Sequence, residues 1–144
     1  MALLKHNRNV QEALWAEFTF NMTDTMVNTA GAEQAFSAAA GVFDPIKLPP
    51  NAVVVGGDVT VETVSNDSGT STIKVGDAAD DDRYLGATSL KAAARTALVP
   101  TGYRGTGQDI RITLANQNGD ATAGKVTVRV AYTVTGRATG VQAH

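Results

Sequence analysis

The chain has 144 residues, enough for one ordinary domain, and with 12 basic against 14 acidic residues its formal charge is −2, which denies it the basic field of a nucleic-acid binder. It has no cysteine, which excludes disulfides and thiolate metal sites and suits a cytosolic origin. No apolar run approaches the roughly 18 residues of a membrane span; valine and threonine fall in alternating runs broken by 14 glycines, the composition of a β protein rich in turns.

Residues 1–15 read as a polar N-terminal arm. The apolar run Met1–Leu4 is followed, not preceded, by Lys5, His6 and Arg8, the reverse of a secretory leader. Without a leader, the sequon-like triplets at Asn21 and Asn66 are chance. Within the arm "VQEALWA" suits one helical turn or an extended segment. "AEFTFNM" then puts Phe18, Phe20 and Met22 on one face of a strand. "QAFSA" (34–38) and "FDPIKL" (43–48) are weaker strands, the second sent to an edge by Pro45. "PPNAVVVGG" gives a turn and a short strand at 52–55, after which Gly56-Gly57 permit a bulge. "DVTVETV" (58–64) alternates Val59 and Val61 with Thr60 and Glu62, and "STIKVG" answers with Ile73 and Val75. With only turn residues between them, the two are expected to form a hairpin.

Residues 77–108 carry little β pattern and are expected to form a long irregular insert. In it Ser89 would cap a short helix, "LKAAART", ended by Pro100-Thr101-Gly102. Compact domains rarely keep such an insert unused, so it and the arm are expected to carry the interface. "GYRGTGQD" (102–109) departs from the dinucleotide fingerprint and reads as a turn launching the next strand. That strand, "DIRITLA", buries Ile110, Ile112 and Leu114. "KVTVRVAYTV" turns Val126, Val128, Val130, Tyr132 and Val134 one way, and Asn118-Gly119 suggests that the two pair as a second hairpin. Six to eight short strands predict an all-β, jelly-roll-like antiparallel sandwich over residues 16–137, with 138–144 as a tail.

Chemistry is hard to assemble from this set. The two histidines, His6 and His144, lie near the ends of the sequence, away from the positioned setting a catalytic base needs. The acidic stretch "GDAADDDRYL" holds Asp77, Asp80, Asp81 and Asp82. Counted as a helix-loop-helix calcium loop from Asp77, it has Asp82 where glycine belongs and Thr88 where glutamate belongs. Three adjacent aspartates diverge on a regular backbone, so the stretch is expected to be an Asp-stabilised turn. Asp80 to Asp82 would be exposed there, meeting Lys or Arg of another subunit if they act beyond solubility, and Tyr84 and Leu85 would be buried. The expectation is therefore no enzyme, no catalytic residue, no metal and no cofactor.

The order of the segments is more informative than any of them alone. "AEFTFNMTDTMVNTAG", "LPPNAVVVGGDVTVETV", "STIKVGDAADDDRYL", "ALVPTGYRGTGQDIRITLA" and "TAGKVTVRVAYTV" together resemble the capsid decoration, or cement, proteins of tailed bacteriophages. That resemblance runs from about Ala16 to Arg137 and rests on strand and turn phrases, not on a catalytic signature. It implies a jelly-roll-like domain on the outer surface of the virion head, assembled in the host cytoplasm. It also implies a homodimer or homotrimer that bridges major capsid protein subunits, with no nucleic acid, membrane or cofactor involved. The residues expected to touch a partner are Leu3, Leu4, His6, Arg8 and Trp15 in the arm, and Tyr103 and Arg104 in the insert. A receptor- or glycan-binding module of a head or tail fibre is the alternative, disfavoured because aromatic platforms are few.

Overall fold

The structure, a computed structural model, describes residues 12–136. Two four-stranded antiparallel sheets face each other across one core. The first has the order β1 (Leu14–Asn21), β10 (Lys125–Val134), β5 (Ala52–Thr63) and β8 (Arg95–Ala97). In the second the order is β4 (Ala40–Ile46), β9 (Ile110–Asn116), β6 (Ser71–Gly76) and β7 (Leu85–Ser89). A separate hairpin, β2 (Thr25–Val27) with β3 (Glu33–Ala35), links β1 to β4.

The apolar faces are those the alternation predicts. Val126, Val128 and Val130 of the first sheet meet Ile112, Ile73, Val75 and Phe43 of the second, all within 1% of complete burial. Burying a branched aliphatic side chain stabilises by about 1.5–3 kcal/mol, so this double layer dominates the fold. On the outer face of the first sheet, polar partners meet across strands. Arg129 lies 3.3 Å from Glu17, Arg95 2.8 Å from Asp58, and Lys125 3.1 Å from Glu62.

Both expected hairpins are corrected. Strand β9 lies in the second sheet and β10 in the first, and the same division separates β6 from β5. The paired runs face one another across the core and do not share a ladder. Alternation marks which face is dry, and a dry face is equally satisfied by an edge neighbour or by the opposite sheet about 10 Å away.

The expected helix is also corrected, for no helix occurs among the described residues. Ser89 Oγ does accept from Lys91 N–H, at 3.1 Å. The chain then bends, because Leu90 plugs the core and its N–H bonds to the Ser71 carbonyl at 2.8 Å. Residues 95–97 follow as β8, pairing with Asp58 to Thr60. Alanine's helix propensity, worth a few tenths of a kcal/mol per residue, gives way to that tertiary pairing. Residues 77–108 are accordingly no irregular insert, since they supply β7 and β8, one edge strand of each sheet.

Two local expectations hold. Pro45 sits on edge strand β4 at a break in register between Phe43 and Ile46. The β5–β10 ladder slips at Val55, where Gly56 opposes Ala131 and Val54 opposes Tyr132. Gly57 is required there, with φ 134° and with any added Cβ only 2.2 Å from the Arg129 carbonyl oxygen.

Candidate functional site

The acidic loop is built around one buried carboxylate. Asp77, 3% exposed, accepts from the N–H groups of Ala79 and Asp80, both at 2.9 Å. Its other oxygen accepts from Arg83 Nε at 2.6 Å. The Arg83 guanidinium lies 3.6 Å over the Tyr103 ring, and the Tyr103 hydroxyl donates to Gln108 Oε1 at 2.9 Å. One continuous network thus ties the loop after β6 to the turn before β9. Hydrogen bonding to Asp77 raises the Arg83 pKa, and burial raises that of Tyr84. Tyr84 and Leu85 are buried as expected.

The three aspartates that follow behave differently from the expectation. Their carboxylate oxygens lie within 4.8 Å of one another, because the backbone here is a tight turn and not a regular element. Asp80 and Asp81 are half-exposed and Asp82 exposed. Asp82 shares a hydrogen bond with Asp80, which with the neighbouring charge raises its pKa. Lys74, in the same chain, supplies a countercharge 3.4 Å from Asp81.

Of the expected partner-contact residues, Leu3, Leu4, His6 and Arg8 lie outside the described residues. Trp15 belongs to β1, whose start at Leu14 carries the strand two residues into the expected arm. It stands 65% exposed on the outer face of the first sheet, opposite Ala131. Arg104 is exposed and bridges its backbone to Val53. Tyr103 is half-buried in the Asp77–Arg83 network. Trp15 and the Tyr103–Arg104 pair are thus distinct places on the molecule.

Sequence reading missed a concavity beside the first strand. A groove of about 570 Å³ opens beside β1 and is lined by Phe18, Thr19, Phe20, Asp24, Thr25, Met26 and Phe36. Its apolar wall is a run of touching rings: Phe18 to Phe36 at 6.0 Å, Phe20 to Phe36 at 4.5 Å and Phe36 to Phe43 at 4.6 Å. Phe18 and Phe20 were readable as one strand face. Phe36 reaches them only because β2–β3 folds back, with Phe36 N–H bonding to the Asp24 carbonyl at 3.1 Å.

Among the described residues, no strand pairs with the outer edge of β1, which borders this groove. Asn21 N–H bonds to the Asp24 carboxylate at 2.8 Å, away from β10, so the Asn21–Lys125 pair is a non-hydrogen-bonded one. By the alternation of antiparallel ladders, Trp15, Glu17 and Thr19 also turn N–H and C=O outward.

Comparison with solved structures gives whole-chain matches. A chain in the capsid asymmetric unit of cyanophage Pam1 superposes with a TM-score of 0.64 at 21% identity, over 92% of this chain and 94% of that one. A chain of the acidic stable capsid of Helicobacter pylori bacteriophage KHP30 gives 0.66 at 16% identity, over 98% and 99%. A chain of the capsid of Ralstonia phage GP4 gives 0.56 at 15% identity, over 88% and 86%. The fold is shared with chains of phage capsids. No protein-family model and no curated protein matches the sequence. Because each superposition spans nearly all of both chains, the whole domain is the common unit.

Proposed function

We propose that the protein is a structural, non-enzymatic component of a bacteriophage virion. In this reading it is a decoration or cement protein that binds the outer surface of the head and bridges neighbouring major capsid protein subunits. The observation that carries the proposal is the end-to-end likeness to chains of three phage capsids. The strand order supports it. Two sheets ordered 1-10-5-8 and 4-9-6-7, with most connections crossing between them, follow a jelly-roll plan.

The surface chemistry suits such a role. An ion-paired outer face on the first sheet is soluble without a strong net field, so copies can sit close together. Head contacts are assigned to Trp15 and Arg104, and self-association to the arm bearing Leu3, Leu4, His6 and Arg8. Many copies on one head make weak single contacts sufficient. The test is co-sedimentation of the purified chain with heads assembled without it. Saturable binding, with rupture shifted to higher temperature, supports the proposal. Binding to cells or to a glycan array, with none to heads, overturns it.

A further inference from the structure

The groove beside β1 combines three features that point to one kind of occupant. It has an aromatic floor, it borders a strand edge that no other described strand pairs with, and its lining carries the Asp24 carboxylate and no basic residue. An open strand edge next to a side-chain pocket is the arrangement that captures an extended segment by strand addition. Main-chain bonds give the affinity and alternate side chains fill the pocket. Between Trp15 and Ala35 the chain carries Asp24, Glu33 and Glu17, the last paired with Arg129 of β10, and no lysine or arginine. Asp24 lines the groove, and Glu33 accepts a hydrogen bond from the Thr25 hydroxyl at 2.9 Å. The occupant should therefore be extended, apolar at one point and basic nearby.

One segment of the protein's own sequence has that character. Residues 1–11, MALLKHNRNVQ, place Leu3 and Leu4 beside Lys5 and Arg8, with no acidic residue. We infer that the groove of one copy takes the N-terminal segment of a second copy as an added strand on β1, with Leu3 or Leu4 seated over Phe18 and Phe36 and Lys5 and Arg8 toward Asp24 and Glu33.

The segment's own groove is a poor fit. Setting Leu4 beside Thr19 within one chain, or Leu3 beside Phe20, centres the reversal between Gln11 and Glu12. The turn would fall within Val10-Gln11-Glu12-Ala13, which holds no glycine, proline, asparagine or aspartate. Tight reversals depend on those residues, two-residue ones above all on φ > 0. An exchanged segment needs no such turn. The inference extends the self-association in the preceding reading, but its test involves no capsid.

The absence of cysteine makes the test direct. Leu3→Cys or Leu4→Cys chains are mixed in equal amounts with Thr19→Cys or Thr25→Cys chains under mild oxidation, with folding checked by circular dichroism. Disulfides form only where Cα atoms come within about 4.4–6.8 Å. The expected result is a crosslinked heterodimer of one chain of each kind. Light scattering should find wild-type oligomers, and Lys5→Glu with Arg8→Glu should weaken them at least tenfold. Adding Glu33→Lys should restore part of that loss. A double-cysteine chain that crosslinks only to itself overturns the inference in favour of a chain's own segment. A monomer without crosslinks overturns it as well, and each of these outcomes leaves head binding to be judged separately.

Discussion

Replacing Asp77 with alanine removes more than a surface charge. It deletes the acceptor for two backbone N–H groups at 2.9 Å and the partner of an Arg83 side chain that is only 16% exposed. Removing one member of a buried ion pair costs about 3–5 kcal/mol. Arg83 keeps its stacking on Tyr103 and some access to water, so Asp77→Ala is expected at the lower end, about 3 kcal/mol. Asparagine can still accept from Ala79 and Asp80, so Asp77→Asn should lose only the charge-assisted part, about 1.5–2 kcal/mol. Urea denaturation followed by circular dichroism measures both, with the slope against urea unchanged. For a domain of this size the alanine variant should also melt roughly 10 °C lower. An alanine variant within about 0.5 kcal/mol of wild type would refute the buried-hub argument. An asparagine variant as costly as alanine would show that the backbone bonds contribute nothing.

Further outcomes follow from other sites. Leu90→Ala should cost about 2–5 kcal/mol, because a fully buried side chain leaves a cavity in the core; a loss under 1 kcal/mol in the same urea assay would contradict the packing described. Gly57→Ala should destabilise by more than about 1 kcal/mol, since its φ of 134° and the 2.2 Å approach to the Arg129 carbonyl leave no room for a Cβ. Glu62 and Asp120 have lowered pKa values, chiefly from hydrogen bonds to Lys125 and to Ser68 respectively. Their contribution is present above the unfolded carboxylate range and is lost as pH falls through the folded values, so stability should decline below about pH 4.5. Asp82, with its pKa raised, acts in the opposite sense and gains on acidification. The double variant Glu62→Gln, Asp120→Asn should flatten the acid limb of a melting-temperature profile, and an unchanged limb would count against those two bonds. Trp15 is the only tryptophan, so acrylamide should quench the free protein's indole emission freely and a head-bound protein's much less; equal quenching would remove Trp15 from the interface.

Which face is buried was legible in the sequence for the strands that alternate, because alternation reports solvent directly. Val126, Val128 and Val130, or Ile110, Ile112 and Leu114, are buried just where their period places them. Which strand each run pairs with was not legible. The seven residues between β5 and β6 connect strands in different sheets, whereas the eight between β6 and β7 return to the same sheet. Neither loop length nor turn composition separates the two cases. What separates them is tertiary: Asp77 holding Arg83 and two backbone amides, and Leu90 drawn into the core. The short β8 was hidden for a related reason, since an edge strand of three residues needs little periodicity when β5 supplies the ladder. The groove depended on Phe18, Phe20 and Phe36 meeting across a fold-back, and strand pattern says nothing about that.

The central claim is that this fold serves a phage head from outside, and the most direct test is a binding isotherm on intact particles. Heads assembled without the protein, titrated with the purified chain and pelleted, should bind it to a fixed stoichiometry and then rupture at a higher temperature. Binding that never saturates, or that leaves rupture unchanged, would contradict the account.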